Sequence, residues 1–369
     1  MKEQICLSEI VSFFESLAPS SLQENYDNSG LQAGDPAMNV RSVLVTVDVT
    51  EEVIDEAIRF GANLVVMHHP LIFGGLKRIT GSTSTERILL KSLRNHIALL
   101  AVHTNLDNVE GGVNSKIAAK LGLVNCRILQ PLKGQLRKLV TFIPSDHLDK
   151  VRRSVFEAGA GYIGNYDQCS FNLEGVGTFR GNEVSNPFVG EPGKLHFESE
   201  VRFETIYPLW LEKRIIQALL QSHPYEEVAY DIYPLENACP KAGAGVLGEL
   251  PEPLDEFHFL QRIKETFDIP VIRHSPLLGK TVRKTAICGG AGSSLLKDAI
   301  AAEAGFFLTG DIKYHQFFDA DDKIVLADMG HFESEQFTKE LFYELLTKKF
   351  PTFAVRLSEV NTNPVNYFI

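Results

Sequence analysis

Three clusters of nitrogen and carboxylate side chains recur along this 369-residue chain. His68 and His69 follow the apolar run Val65-Val66-Met67, and Pro70 then stops the strand. His103 and Asp107 follow the apolar run that ends at Val102, and His331 has Glu335 four residues on, at the start of a predicted helix. Neutral imidazole is the commonest protein ligand for zinc and similar ions, and a spacing of four on a helix puts both side chains on one face. Taken singly, each cluster reads as a solvated polar pair; three together point to a metal site. Nitrogen and carboxylate donors without thiolate suit zinc, iron(II), manganese or cobalt, and disfavour calcium or an iron–sulfur cluster. His68, His69, Asp107, His331 and Glu335 exceed the three protein ligands usual for one catalytic zinc. Two divalent ions sharing a carboxylate fit that count better.

The elements around these residues must bring them together. Residues 42–49, 63–67 and 97–102 read as strands, alternating with helices over 51–60 and 85–94. Thr50 can cap the first of these helices, with Glu51 and Glu52 in its first turn, and Gly61 ends it. A further helix covers 113–121. The alternation resumes near the other end, with strands at 285–288, 306–309 and 323–327 and one helix over 332–348. Such alternation predicts parallel strands with helical crossovers, whose ligands lie beyond the carboxyl ends of the strands. All three clusters fall at such ends, which places them along one edge of one sheet, outside the core. Replacing a ligand should then spare the fold. Residues 24–35, rich in turn formers and amides, read only as a loop.

The middle of the chain has another rhythm. Strands at 138–143, 168–173, 195–206 and 228–233, with helices over 146–158 and 211–222, give the order β-α-β-β-α-β of a ferredoxin-like α+β unit. The expected organisation is a discontinuous α/β core with a mainly parallel sheet, 1–136 and 237–369, interrupted by an insert domain, 137–236. The Gly-rich stretch Gly289 to Ser294, before a predicted helix reaching about Ala304, is a candidate anion cradle.

The net charge of −11 argues against a nucleic-acid groove, which needs clustered Lys and Arg. Five cysteines without C-x-x-C spacing read as reduced, buried thiols in a cytoplasmic protein. No signal peptide or membrane span is expected, since no run approaches ~18 apolar residues.

Several motifs together resemble the GTP cyclohydrolase I type 2 homologues, also called Nif-three-like proteins. They are Tyr26-Asp27-Asn28-Ser29-Gly30-Leu31-Gln32, His68-His69-Pro70-Leu71-Ile72-Phe73, His103-Thr104-Asn105-Leu106-Asp107 and Gly330-His331-Phe332-Glu333-Ser334-Glu335. The insert, with His223-Pro224-Tyr225-Glu226-Glu227, resembles the CutA- or PII-like domain of longer members. The resemblance implies a dinuclear centre at His68, His69, Asp107, His331 and Glu335 in a toroidal homohexamer. The expected activity is metal-dependent hydrolysis of a small molecule, a purine nucleotide such as GTP, with His103 transferring protons. Two other readings are a non-catalytic, metal-dependent regulatory or binding protein and a metal-dependent phosphoesterase.

Overall fold

The structure is a computed structural model that describes residues 4–368. The chain divides into two compact units, Met1–Gln130 with Lys241–Ile369, and Pro131–Pro240.

In the discontinuous unit, strands such as Leu64–Met67, Ala98–Ala101 and Phe306–Thr309 are buried at every position. Apolar runs of this kind belong to parallel strands covered on both faces. They do not form one sheet. A five-stranded sheet runs Ala354–Leu357, Ser42–Thr46, Leu64–Met67, Ala98–Ala101, Gly30–Ala33. Its first four strands are parallel and the last is antiparallel. A six-stranded sheet runs Arg273–His274, Val325–Asp328, Phe306–Thr309, Thr281–Ile287, Cys239–Asp255, Val124–Leu132. Thr281–Ile287, Phe306–Thr309 and Val325–Asp328 are parallel, and the flanking Arg273–His274 and Cys239–Asp255 are antiparallel.

The expectation of a single, mainly parallel sheet is therefore corrected to two mixed sheets. Four-residue strands carry too little pattern to say which neighbours they pair with. Gly30–Ala33, read as loop, and Ala354–Leu357, not foreseen, are both strands of the first sheet. The long terminal helix is also corrected: it consists of His331–Glu335 and Thr338–Lys349, and ψ opens to −2° at Phe337 between them.

Local chemistry explains the elements that matter for the site. Thr50 accepts from the Val53 amide, and Gly61 closes that helix at φ 68°. Val53, Ile54 and Ala57 then face Leu44, Val65, Met67 and Leu99 in one core cluster. A second cluster of Leu247, Ala286, Phe307 and Leu326 lies in the other sheet. Of the cysteines only Cys239 is buried; Cys126, on an edge strand, is exposed and the rest are half-buried. Among the described residues no helix is long and apolar enough to cross a membrane.

The insert unit has a four-stranded antiparallel sheet in the order Tyr230–Leu235, Leu136–Pro144, His196–Pro208, Ser170–Phe179. Helices Leu148–Glu157 and Glu212–Ser222 complete a β-α-β-β-α-β order. Its core is its own: Leu139, Ile143, Val151, Val155, Phe203 and Leu219 pack in one cluster. The strands that enter and leave it, Val124–Leu132 and Cys239–Asp255, are neighbours in the six-stranded sheet. Excising residues 137–235 and bridging the cut with a short linker should therefore leave a folded core that keeps its metal content. Circular dichroism and metal analysis check this; a truncated chain without helical signal overturns it.

Candidate metal centre

His68 and His69 follow the strand Leu64–Met67, and both of their amides donate to Val47 O at 3.0 Å. That anchoring at the strand end brings the two rings to 4.9 Å centroid separation. His103 follows Ala98–Ala101 and precedes the short helix Thr104–Asp107, which carries Asp107. His331 and Glu335 open and close a five-residue helix after Val325–Asp328 of the other sheet. All six predicted side chains thus come together, but from two sheets whose carboxyl ends converge. The third cluster does not share an edge with the first two, and that convergence buries what an exposed edge would leave open. His68 is 0% and Glu335 3% exposed.

Glu335 is the hub. Its Oε2 lies 2.9 Å from His69 Nε2 and 3.3 Å from His331 Nε2, and those two nitrogens are 3.2 Å apart. Its Oε1 lies 3.6 Å from His68 Nε2, which is 3.7 Å from Asp107 Oδ1. Ligands around an ion at bond lengths of about 2.0–2.1 Å stand about 3.3 Å apart in a tetrahedron. The first triad has those edges, and the second is slightly wider. His68 Nε2 and Asp107 Oδ1 are buried atoms without a hydrogen-bond partner. Buried polar atoms are rarely left so, and an ion is one way to satisfy both. The buried His, Asp and Glu groups can hold a metal ion, and His68, His69 and His103 form a third such group.

Each imidazole is oriented through its other nitrogen. Asp48 Oδ1 lies 2.7 Å from His69 Nδ1, Asp311 Oδ2 2.7 Å from His331 Nδ1, and Asp27 Oδ1 2.7 Å from His103 Nδ1. His68 Nδ1 faces Val102 O at 3.0 Å. Ionised carboxylates and carbonyls only accept, so every Nδ1 carries the proton and every Nε2 is left for a ligand.

Without an ion the cluster gathers protons. Burial opposes charge on His69, but hydrogen bonds to Asp48 and Glu335 outweigh it and push its pKa up to about 10. His331 rises to about 9: burial again opposes, and Glu335 and Asp311 prevail. Burial first, then the charge of Glu335, pushes Asp107 up to about 8. Burial would raise Glu335 too, but His68 and the hydrogen-bonded imidazoles hold it well below the usual carboxylate range. Positive charge is thus stabilised where a cation would sit.

The cluster opens on a cavity of about 1300 Å³, also lined by Tyr26, Phe73, Phe332 and the C-terminal segment around Asn363. The Gly289 to Ser294 loop borders it with its three glycine amides already engaged. The Gly289, Gly290 and Gly292 amides already donate to Asn114, Ser334 and Thr309 side chains. The expected helix after it is only Leu296–Ala301. The loop provides clearance instead: a Cβ on Gly290, at φ 60°, would stand 2.5 Å from Glu335 Oε1.

Reasoning from individual residues passed over Asp27, Asp48 and Asp311. The available signal was position: Asp48 and Asp311 follow core strands, and Asp27 lies in the Tyr26-Asp27-Asn28-Ser29-Gly30 motif. Asp48 Oδ2 also accepts from Thr362 Oγ1 at 2.9 Å, tying the C-terminal segment to His69. Asp48→Asn should weaken metal binding about 10- to 100-fold by loosening the His69 ring. Competition against a chromogenic chelator reads this; unchanged affinity would mean that Asp48 does not position the ligand.

A discontinuous α/β unit that seats a largely buried histidine–carboxylate cluster between two sheets defines a class of protein with a candidate metal site. The chain belongs to the Duf34/NIF3 (NGG1p interacting factor 3) family, whose model matches residues 5–364. It is 39% identical to the GTP cyclohydrolase 1 type 2 homolog of Halalkalibacterium halodurans, covering 97% of this chain and 98% of that one. Identity to the protein of the same name in Bacillus subtilis is 37%, over 100% of both chains. The crystal structure of a Bacillus cereus protein related to NIF3 matches with TM-score 0.87 at 38% identity, over 100% of each chain. Staphylococcus aureus protein SA1388 matches with TM-score 0.78 at 29% identity, again over 100% of each chain.

Proposed function

We propose that His68, His69, Asp107, His331 and Glu335 hold two divalent ions, zinc, iron or manganese, and that the protein is a metal-dependent hydrolase of a purine nucleotide. The observation that carries this reading is the division of Glu335, with Oε1 turned to His68 and Oε2 to His69 and His331. One ion at the tighter triad would leave His68 Nε2 and Asp107 Oδ1 buried and unpartnered, at about 1–3 kcal/mol each.

Bound there, divalent ions supply Lewis acidity, lowering the pKa of water and polarising the group under attack. The chain's own residues do the rest. Asp27, held well below the usual carboxylate range against burial by His103, Thr104 and Ser29, stays ionised and fixes the proton on His103 Nδ1. His103 Nε2 is then free to take and return a proton. Phe73 packs edge-on against the His103 ring at 5.8 Å and limits its rotation.

The nucleotide is taken from the name of the relatives, and the size of the cavity supports it. On the same resemblance we assign a cytoplasmic homohexamer whose insert is of the PII or CutA kind. Light scattering that reports a monomer at micromolar concentration contradicts the assembly.

The test of function is a nucleotide panel offered to metal-loaded protein, with products identified by mass. GTP hydrolysis with release of formate is expected, lost in Asp107→Ala and about 10²- to 10⁴-fold slower in His103→Ala. Full metal content with no turnover of any nucleotide would overturn the hydrolase and leave a non-catalytic metal-binding protein.

A further inference from the structure

The His223-Pro224-Tyr225-Glu226-Glu227 motif has no part in the metal centre and lies in the insert. Along His196–Pro208 the side chains alternate, so Val201 and Phe203 face the insert's helices and Glu200 faces the opposite side of the sheet. Outer-face carboxylates are normally solvated. Glu200 is nonetheless only 8% exposed, so something covers it.

The cover is a cavity wall. Tyr225 crosses Glu200 and donates its hydroxyl to Oε1 at 2.8 Å. Phe179 and Phe188 stand around Tyr225 at 6.0 and 6.3 Å between centroids, tilted by 58° and 48°. The loop that carries Phe188 is pinned by the motif itself, because the Asn186 amide donates to Glu226 Oε1 at 3.0 Å. The half-open pocket has a volume of about 610 Å³, a size that suits a small organic ligand.

Glu200 Oε2 is the polar atom left for such a ligand, since no described residue donates to it. It lies over Gly177, where a Cβ would be 2.0 Å away. Carboxylates outnumber guanidinium groups around the space: Glu174, Glu200, Glu226 and Glu227 against Arg180 and Arg202. Arg202 is already engaged, its Nε 2.8 Å from Glu204 Oε1. A buried carboxylate with one accepting oxygen, walled by aromatic rings, is complementary to a cation that carries N–H donors and an apolar body.

We propose that the insert binds an alkylammonium ion in this cavity, its N–H donating to Glu200 Oε2 and its alkyl chain lying between Phe179, Phe188 and Tyr225. The site is separate from the metal centre in its residues and its chemistry, and does not depend on the hydrolase reading.

The test is calorimetric titration of the full-length protein with butylammonium chloride, using 1-pentanol as a neutral probe of similar shape. Butylammonium should bind with saturation, and pentanol at least about tenfold more weakly, the scale of a charge-assisted hydrogen bond. Glu200→Gln keeps the shape and an acceptor for Tyr225 and should lower butylammonium affinity about tenfold. Phe188→Ala, a change on an exposed loop that leaves the fold alone, should lower it by several-fold. Thermal melts check both variants. No binding of butylammonium, equal binding of pentanol, or wild-type affinity in folded Glu200→Gln overturns the proposal.

Discussion

Metal content should fall from about two ions per chain in the wild type to about one in Asp107→Ala, and close to none in Glu335→Ala. Asp107 faces only the triad that contains His68, whereas Glu335 gives one oxygen to each triad. Removing a ligand used once should cost one ion, and removing the shared one should cost both. The same substitution tests the sequence-based view that these ligands lie outside the core. Glu335 is 3% exposed and sits among three imidazoles, so its loss breaks buried charge pairs. Breaking such pairs costs about 3–5 kcal/mol, so Glu335→Ala should keep its circular dichroism at 20 °C but melt earlier. Elemental analysis after gel filtration reads the stoichiometry. One ion in the wild type, or full content in Glu335→Ala, would refute the shared-carboxylate arrangement.

Metal-stripped and metal-loaded protein should respond to pH in opposite directions. In the metal-free chain Asp107 is raised from 3.8 to about 8, and His69 from 6.5 to about 10. A group whose pKa is higher in the folded state stabilises the fold fully below its unfolded value and loses that contribution as pH rises through its folded value. For Asp107 the loss runs from about pH 4 to pH 8, and for His69 from about pH 6.5 to pH 10. Metal-free protein should therefore lose stability between pH 6 and pH 9, by about 5 °C or more in Tm. Metal competes with these same protons, so loaded protein should gain stability over that interval as affinity rises. Parallel thermal melts with and without chelator check the crossing. A metal-free Tm that rises from pH 6 to pH 9 would show that the cluster does not hold these protons.

Much of the site was legible because its chemistry is local. A histidine pair at the end of one apolar run, His103 and Asp107 after another, and one pair spaced by four need only strand and helix periodicity to be placed at strand ends. All six residues do meet. The insert was legible for a related reason: its strands and helices are long, and long elements carry enough period to be read. The break at Phe337 and the four-residue strand Ala354–Leu357 were not, because so few residues fit several patterns equally well.

The sequence by itself determined where histidines and carboxylates cluster at strand ends, that strands and helices alternate around them, and that a β-α-β-β-α-β unit interrupts the alternation. Only the tertiary structure decided that the core has two sheets and that Glu335 spans two triads between them. It also decided that Asp27, Asp48 and Asp311 orient the histidines, that the Gly289, Gly290 and Gly292 amides are already taken, and that Glu200 is buried beneath Tyr225. Those outcomes depend on contacts between residues far apart in the chain, such as His69 with Glu335, 266 positions away. Periodicity reports which face of an element is apolar. It carries no information on which other element that face, or that strand end, will meet.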